Sequence, residues 1–495
     1  MKKVIIIGAG ISGLSAGIFG QMCGFETEVY EMHSIAGGEC TGWSRKGYHF
    51  DNCIHWLTGT KEDTDLYNVW KAVGALGNVE IYNSEYLYSY NDGKETFYMY
   101  KDINKLEKHM LEISPQDSKE IYKFIDIVKG AKNLSIPTKK PMDMMNAFDY
   151  IKLMMQYKSI GKYAGELNEL YLSEYVANFK SELIKEALLN SLPKGYSSMA
   201  LFVTMGIFST GNGGWPKGGS LAMSLRMEDR YKELGGKVRY KAKVKRIIIE
   251  DNIAKGIELE NGEIIYGDHV ISAIDANILM KNLLGNKFKD KILDNQFNDR
   301  EKYTIHSSVD LGLGVKCDLS NRDHSAAFKV EPFKCGDVFI DEIGIHHYCH
   351  EKEFSPKRCS TMRIHILGDF YDYWNKLKES NSERYYKEKD RIANDVMERI
   401  SKIYPETEGL FEVYDVSTPV TYERYCGAYK GAWMGFALSP KADKERHNGY
   451  IKDIKNLFVA GQWLMLPGGL PSACLTGKWA IQRLCKEEKI KFNFK

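Results

Sequence analysis

Residues 3–13, "KVIIIGAGISG", decide how the chain begins to fold. "KVIII" is a short β-branched run without polar alternation, the pattern of a strand buried on both faces of a parallel sheet. Gly8, Gly10 and Gly13 follow in GxGxxG spacing, with Gly17 one turn further on. Gly8 permits a tight turn, Gly10 lets backbone amides approach a pyrophosphate, and Gly13 lets the next helix pack close to the strand. After that helix, "TEVYE" (27–31) reads as a second strand ending at Glu31. An acid there accepts hydrogen bonds from both ribose hydroxyls and repels a 2′-phosphate. GxGxxG alone is a weak signal. A strand before it, a helix after it and the acid in place make dinucleotide binding the expectation, with FAD or NAD favoured over NADP.

Composition narrows the class. The 495 residues suffice for two or three domains or one large two-domain enzyme. Hydrophobic residues make up 43% and charged residues 27%, as in a globular protein with a substantial core. With 68 basic and 66 acidic residues the net charge is +2, which gives no reason to expect nucleic acid as a partner. "MKKVIIIGAGISGL" has glycines where a signal-peptide cleavage site would stand, and no run of about 18 apolar residues predicts a membrane span. The ten cysteines form no CxxC pair and read as reduced thiols, so a cytoplasmic location is expected.

The far end of the chain repeats the opening theme. "NLFVAGQWLMLPGGLPSACLTGKWAIQRL" (456–484) holds a buried strand, a Pro- and Gly-rich turn, and an apolar helix over about 472–486. The helix start at Leu470, Pro471, Ser472 and Ala473 offers backbone amides to an electron-rich ring edge such as the C2 carbonyl side of an isoalloxazine. Such an ending favours FAD over NAD.

"GGECTGW" and "FDNCIHW" (37–56), "GGWPKGGS" (213–220), "VISAID" (270–275), "STPVTYERY" (417–425) and "AGQW…PGGLPSACLTGK" (460–478) occur in one order. Together they resemble the phytoene desaturase family, which includes carotenoid desaturases, carotenoid isomerases and retinol saturases and is distantly related to the amine oxidases. Residues 90–200 match only in general character. The resemblance implies an α/β fold: a Rossmann-type, glutathione-reductase-like FAD domain with a discontinuous α+β substrate domain. It implies that Gly8, Gly10, Gly13 and Glu31 hold the ADP half of FAD and that Gly37 and Gly38 pass the pyrophosphate. Val244 would frame the adenine through its backbone, Gly461 and Gln462 would sit at the ribityl–phosphate junction, and Leu470–Ala473 would lie under the flavin ring. Two positions depart from the pattern. Glu39 stands where many relatives carry Arg, so it must point elsewhere or bind ribityl hydroxyls, and Gln462 replaces an acid.

The expected FAD domain covers 1–60, 210–290 and 440–495. A helix over 219–234 with a Gly-Gly C-cap and three short strands after it belong there. The expected substrate domain covers 61–209, largely helical, and 291–439, where "TIHSSVDLGLGV" and "TMRIHILGDF" alternate as strands of a mixed sheet do. The Met-, Tyr- and Lys-rich segment 141–163 reads either as a core-facing helix or as a lid dipping into a membrane surface or an oily substrate.

Within "GGECTGWSRKGYHFDNCIHWLTGT" (37–60), His49, Cys53 and His55 lack a compact second ligand pair for a metal. Cys53 and His55 would share one face of a strand, but no acyl-transfer element accompanies them. The favoured expectation is a loop and strand along the FAD, with His55 and Trp56 before the flavin ring as substrate-pocket residues and His55 a candidate proton donor. "HHYCH" (346–350) splits its side chains between two faces and is expected to be a solvated strand or turn. Tyr425 and Tyr429, in an aromatic Gly-rich stretch, either line the tunnel or pack beneath the flavin.

The expected activity is that of an FAD-dependent oxidoreductase on a long hydrophobic polyene or isoprenoid-like substrate, by hydride exchange with flavin N5 in desaturation, saturation or isomerisation. The alternatives are an amine-oxidase-like flavoenzyme and a non-catalytic, flavin-bearing lipid carrier. The expected partner is a hydrophobic small molecule, with peripheral membrane contact left open, and neither nucleic acid nor a metal is expected. The electron partner is not specified.

Overall fold

The computed structural model describes residues 1–443 and 445–494. Lys3–Ile7 forms the middle strand of a five-stranded parallel sheet. Across this sheet the order is Lys237–Arg239, Glu26–Tyr30, Lys3–Ile7, His269–Ser272 and Leu457–Val459. Val4, Ile5 and Ile6 are fully buried, which is why the run carries no polar alternation.

The two ends of the chain meet through helix packing. Helix Ile11–Met22 lies against the C-terminal helix Leu470–Glu487 so closely that a Cβ on Gly477 would stand 2.2 Å from the Ser12 carbonyl oxygen. Ser15 Oγ donates to the Cys474 carbonyl across the contact, at 2.7 Å. The expected helix near 219–234 is Gly219–Glu233, followed at Gly235 by the left-handed backbone of a glycine cap. Of the short strands after it, Lys237–Arg239 joins the parallel sheet, while Val244–Glu250, Ile253–Leu259 and Ile264–Tyr266 form a separate antiparallel sheet.

A second, seven-stranded sheet runs in the order Phe411–Ser417, Ser307–Val315, Ser360–Gly368, Val338–His347, Ser325–Cys335, Tyr86–Asn91 and Thr96–Tyr100. Val309, Leu311, Ile364 and Ile366 join one core with Trp374, Ile392 and Val396 of the helices Tyr371–Ser380 and Ser382–Ile403. Strand alternation sends Asp310, Arg363 and His365 to the opposite face. The register sets Asp310 across from His365 and His346 across from Arg363.

The 61–209 region is mostly helix, with short strands at 81–82, 86–91 and 96–100. Its hairpin at 86–100 extends the seven-stranded sheet, with Tyr86–Asn91 parallel to Ser325–Cys335. Its helices build their own core around Leu106, Phe124, Ile127 and Phe202. Within 141–163 the main helix is Ala147–Tyr157, started by an Asn146–Asp149 capping box. It does not face the core: Phe148 is 73% exposed and Met154 70%. Among the described residues no helix is long and apolar enough to cross a membrane.

Candidate active site

One cavity of about 2540 Å³ runs past the carboxyl ends of the parallel strands and on to the seven-stranded sheet. That is more than twice the ~1,000 Å³ upper range of a single small-molecule site, so there is room for a dinucleotide and a second large ligand. Its lining includes Gly8, Glu31, Asp275 and Gly461, each just beyond the end of a parallel strand, where open α/β sheets bind ligands.

The first half of the cavity is built from backbone. Gly8 has φ +97°, and a Cβ on Gly13 would lie 1.9 Å from the Gly8 carbonyl oxygen, so both glycines are required by the turn itself. At Gly10, the N-cap of helix Ile11–Met22, a Cβ would meet only the Gly37 carbonyl at 3.9 Å. The helix start carries no side-chain cap, which leaves its N–H groups for an anion. Gly37 and Gly38, both in left-handed conformations, run beside it, and Gly37 N–H donates to the Ala9 carbonyl at 2.9 Å. The buried Glu31 carboxylate accepts from the Ala9 and His33 amides at 2.7 and 2.8 Å. Two oxygens with about four lone-pair sites leave capacity for a ribose diol.

Val244 lines the same end, and Gly461 and Gln462 line the other. Gly469, with φ +97°, precedes helix Leu470–Glu487, which again has no side-chain cap. Pro471 has no N–H and Ala473 N–H bonds to the Gly469 carbonyl, so Leu470 and Ser472 are the donors left at this helix start. Gln462 Oε1 accepts from Gly469 N–H at 3.0 Å, fixing the entry to the turn. This uncapped, glycine-cradled outline fits FAD.

Glu39 explains its own departure from the family pattern. Its Oε2 lies 3.4 Å from Gln462 Nε2, and its Oε1 is buried without a partner. Burial pushes the carboxyl up to about 8; Gln462 opposes this and the neighbouring Asp275 adds to it. At neutral pH Glu39 is therefore a neutral hydrogen-bond donor in the cofactor cavity and does not repel the phosphates. Because the folded value lies above the ordinary 4.5, folding retains the proton, and folded-state stability from this group falls as pH rises from 4.5 to about 8. Glu39→Gln is expected to bind FAD at pH 7 within about threefold of the parent, since an amide keeps a donor. Above pH 8 the parent is expected to weaken by about tenfold while the variant stays level, as measured by FAD fluorescence titration.

The other half of the cavity carries a polar cluster. Arg363 Nε and Nη2 donate to Asp310 Oδ1 at 2.9 and 2.5 Å, with both side chains buried. Ser308 and Tyr422 hydroxyls donate to the other carboxylate oxygen, and His365 Nδ1 lies 2.5 Å from Oδ1. Burial alone would raise the Asp310 carboxyl, but Arg363 and His365 hold it far below the usual carboxylate range. The ionised acid makes Nδ1 the donor of His365.

Arg363 Nη1 reaches His55 Nε2 at 3.2 Å. A guanidinium only donates, so Nε2 accepts and the His55 proton sits on Nδ1. Burial, then His346, Arg363 and His365, hold His55 well below its ordinary value. This favours the neutral form of His55, with Nδ1–H as a hydrogen-bond donor.

The structure places other expected residues differently. Strand Tyr48–Asp51 ends before Cys53, so Cys53 and His55 do not share a strand face. Trp56 lines the cavity, edge-on to Phe208 at 4.8 Å. Tyr425 lies at the cofactor end, half-exposed and edge-on to His33 at 5.6 Å. Tyr429 packs on Phe297 and Trp463 and does not line the cavity. His346, expected in a solvated strand or turn, instead stacks on His55 at 4.5 Å with an interplanar angle of 9°. Asp310, Arg363, His365 and Trp433 were not singled out from sequence. The alternation of "SSVDLGLGV" and "TMRIHILG", with an acid, a base and a histidine on one face, was the available signal.

Strand–glycine–helix units from both ends of the chain, sharing one long cavity, define a dinucleotide flavoprotein, and the chain is an FAD-dependent oxidoreductase. The model of the flavin-containing amine oxidoreductase family matches residues 11–485, and the chain belongs to that family. It is similar to the chloroplastic prolycopene isomerase of Daucus carota, 22% identical over 454 residues that cover 87% of this chain and 71% of that protein. It is also 22% identical to the all-trans-retinol 13,14-reductase of Danio rerio over 537 residues, 97% of this chain and 86% of that protein. The crystal structure of a putrescine oxidase triple mutant shares the fold, with a TM-score of 0.64, 15% identity, and 98% and 99% of the two chains covered.

Proposed function

We propose that the chain transfers hydride between FAD and a long, largely apolar polyene or isoprenoid-like molecule. The observation that carries this is the continuous cavity of about 2540 Å³, in which the cofactor cradle opens onto a second chamber lined by residues such as Leu134, Ile136, Val203, Ile207 and Phe208. A compact pocket for a small amine would not need this length. The names of the isomerase and the retinol reductase support the same substrate class.

In this proposal Gly8, Gly10, Gly13, Gly37 and Gly38 bring backbone to the pyrophosphate, Glu31 holds the ribose and Val244 borders the adenine. Gly461, Gln462, Leu470, Ser472 and Ala473 border the flavin, and Pro471 sets the direction of the last helix. FAD supplies the hydride acceptor or donor. The chain aligns the reacting carbon and excludes water; neutral His55 hydrogen-bonds, and Trp56 with Trp433 forms wall. The cofactor part comprises 1–60, 210–290 and 440–495, and the substrate part comprises 61–209 and 291–439.

Helix Ala147–Tyr157 serves as the membrane contact. Phe148, Ile151, Met154 and Met155 are exposed, Lys152 and Lys158 flank them, and Tyr157 belongs to the cavity lining. Replacing Phe148 and Met154 with Glu is expected to cut flotation with anionic lipid vesicles by at least about tenfold, with flavin content unchanged. Equal flotation would remove the helix from this role.

Anaerobic incubation tests the reaction. Bleaching of the oxidised flavin by a polyene marks desaturation, and reoxidation of reduced flavin by a polyene marks saturation. Turnover on the reduced enzyme without net electron consumption marks isomerisation. Bleaching by amines alone would contradict the proposal, and no response to either class would indicate a carrier.

A further inference from the structure

The geometry points to an uncharged oxygen function, a hydroxyl or carbonyl, at one end of the substrate, held by His55 and His346 at the flavin end of the chamber. This rests on the proposed function above and names the substrate class more closely.

A cluster of histidines forms a polar patch in the chamber. His55, His346 and His365 line it together with Trp433. The His55 and His346 rings stack at 4.5 Å, and His365 lies 5.4 Å from His55 and 5.1 Å from Trp433. Trp433 adjoins Met434, whose Cε would meet a Cβ on Gly469 at 3.0 Å, so this patch stands beside the start of the C-terminal helix. The hydrogen-bond ledger of the cluster is asymmetric. Asp310 is saturated by Arg363, His365, Ser308 and Tyr422, and Arg363 is committed to Asp310 and His55. Among the described residues, His55 Nδ1 and both ring nitrogens of His346 have no hydrogen-bond partner, and none of these three atoms is among the sealed, unpartnered polar atoms of the interior.

The chemistry of the ligand follows from what is left over. Arg363 forces the His55 proton onto Nδ1, so the chamber receives a donor there. Neutral His346 adds one donor and one acceptor. A hydroxyl satisfies both kinds of group, and a carbonyl oxygen accepts from both N–H groups. A pure hydrocarbon leaves them unsatisfied against an apolar ligand, which is costly. At the His55–His346 pair itself a carboxylate meets no unmatched charge, because the Arg363 charge is matched by Asp310. The oxygenated carbon, rather than the hydrocarbon tail, is therefore the end nearest the flavin.

The test is binding to the flavinated protein of three matched probes: retinol, the hydrocarbon with CH3 in place of its CH2OH, and retinoic acid. Affinities are read from flavin difference spectra and referred to each probe's partition between hexane and water. The alcohol is expected to bind at least about tenfold tighter than the hydrocarbon, on the scale of one buried hydrogen bond, and tighter than the acid at pH 8. In His346→Leu and His55→Leu the alcohol is expected to lose that preference while the hydrocarbon is unchanged or gains. Equal binding of alcohol and hydrocarbon by the parent protein overturns the inference and leaves the proposed function standing. Stronger binding of the acid, or a preference that survives both variants, overturns it as well. Failure of all three probes to bind overturns the apolar-substrate proposal and this inference together. The parent-protein comparison needs no variant and is independent of whether either variant folds.

Discussion

Gly10→Val is expected to fold and to emerge from purification without bound flavin. Gly10 has φ −70° and ψ 179°, a conformation open to any residue. A Cβ there meets only the Gly37 carbonyl at 3.9 Å, so the chain tolerates the side chain. The cavity does not, because the new methyl groups stand at the uncapped helix start where phosphate must approach backbone. FAD affinity is expected to fall at least about a hundredfold, ~2.7 kcal/mol, with little change in the thermal midpoint of the flavin-free protein. Gly13→Ala is the contrasting case: its Cβ would press into the Gly8 carbonyl at 1.9 Å, so folding itself suffers. A yellow, stoichiometrically flavinated Gly10→Val protein would contradict the cofactor assignment.

Asp310→Asn is expected to cost about 3–5 kcal/mol of stability, because it leaves a buried guanidinium without its counter-charge. Arg363 is 4% exposed and has no other carboxylate among its hydrogen-bond partners. Adding Arg363→Met should recover a substantial part of the loss, since removing both charges removes the unmet desolvation cost. Urea denaturation at fixed excess FAD measures both. The pH dependence has a defined sign. The Asp310 carboxyl is depressed in the folded state, so its stabilisation is present in full above the unfolded value near 3.8 and is lost as pH falls below it. A single-variant loss under about 1 kcal/mol would show that the pair is solvated and the chamber floor open.

The cofactor half was legible because its chemistry uses backbone, and backbone demands leave glycine at fixed spacings. Gly8, Gly13 and Glu31 each announce a geometric requirement that few other residues meet. The meeting of the chain ends was legible from the second strand–glycine–helix unit at 456–486, and the structure adds that Gly477 permits the close helix contact with Ser12. The substrate half was less so. Asp310, Arg363, His346 and His365 lie on three strands, and only the pairing register brings them together. "HHYCH" read locally as a split cluster, yet His346 points to its role only once His55 is found stacked on it from a loop far earlier in the chain. Tyr429 failed in the opposite way: an aromatic in a Gly-rich stretch suits a tunnel wall and a packed core equally, and Phe297 and Trp463 drew it inward. The hairpin at 86–100 was not singled out; its strands pair with each other locally, but its place in the sheet depends on Ser325–Cys335, far away in sequence.

A crystal structure of the purified, flavinated protein measures the central feature directly. One FAD should lie extended in the large cavity, with its ribose at Glu31 and its ring at the start of helix Leu470–Glu487, and the histidine-bordered chamber should open over the ring. A protein that folds but takes up no FAD, or that holds it outside this cavity, would be the contrary result.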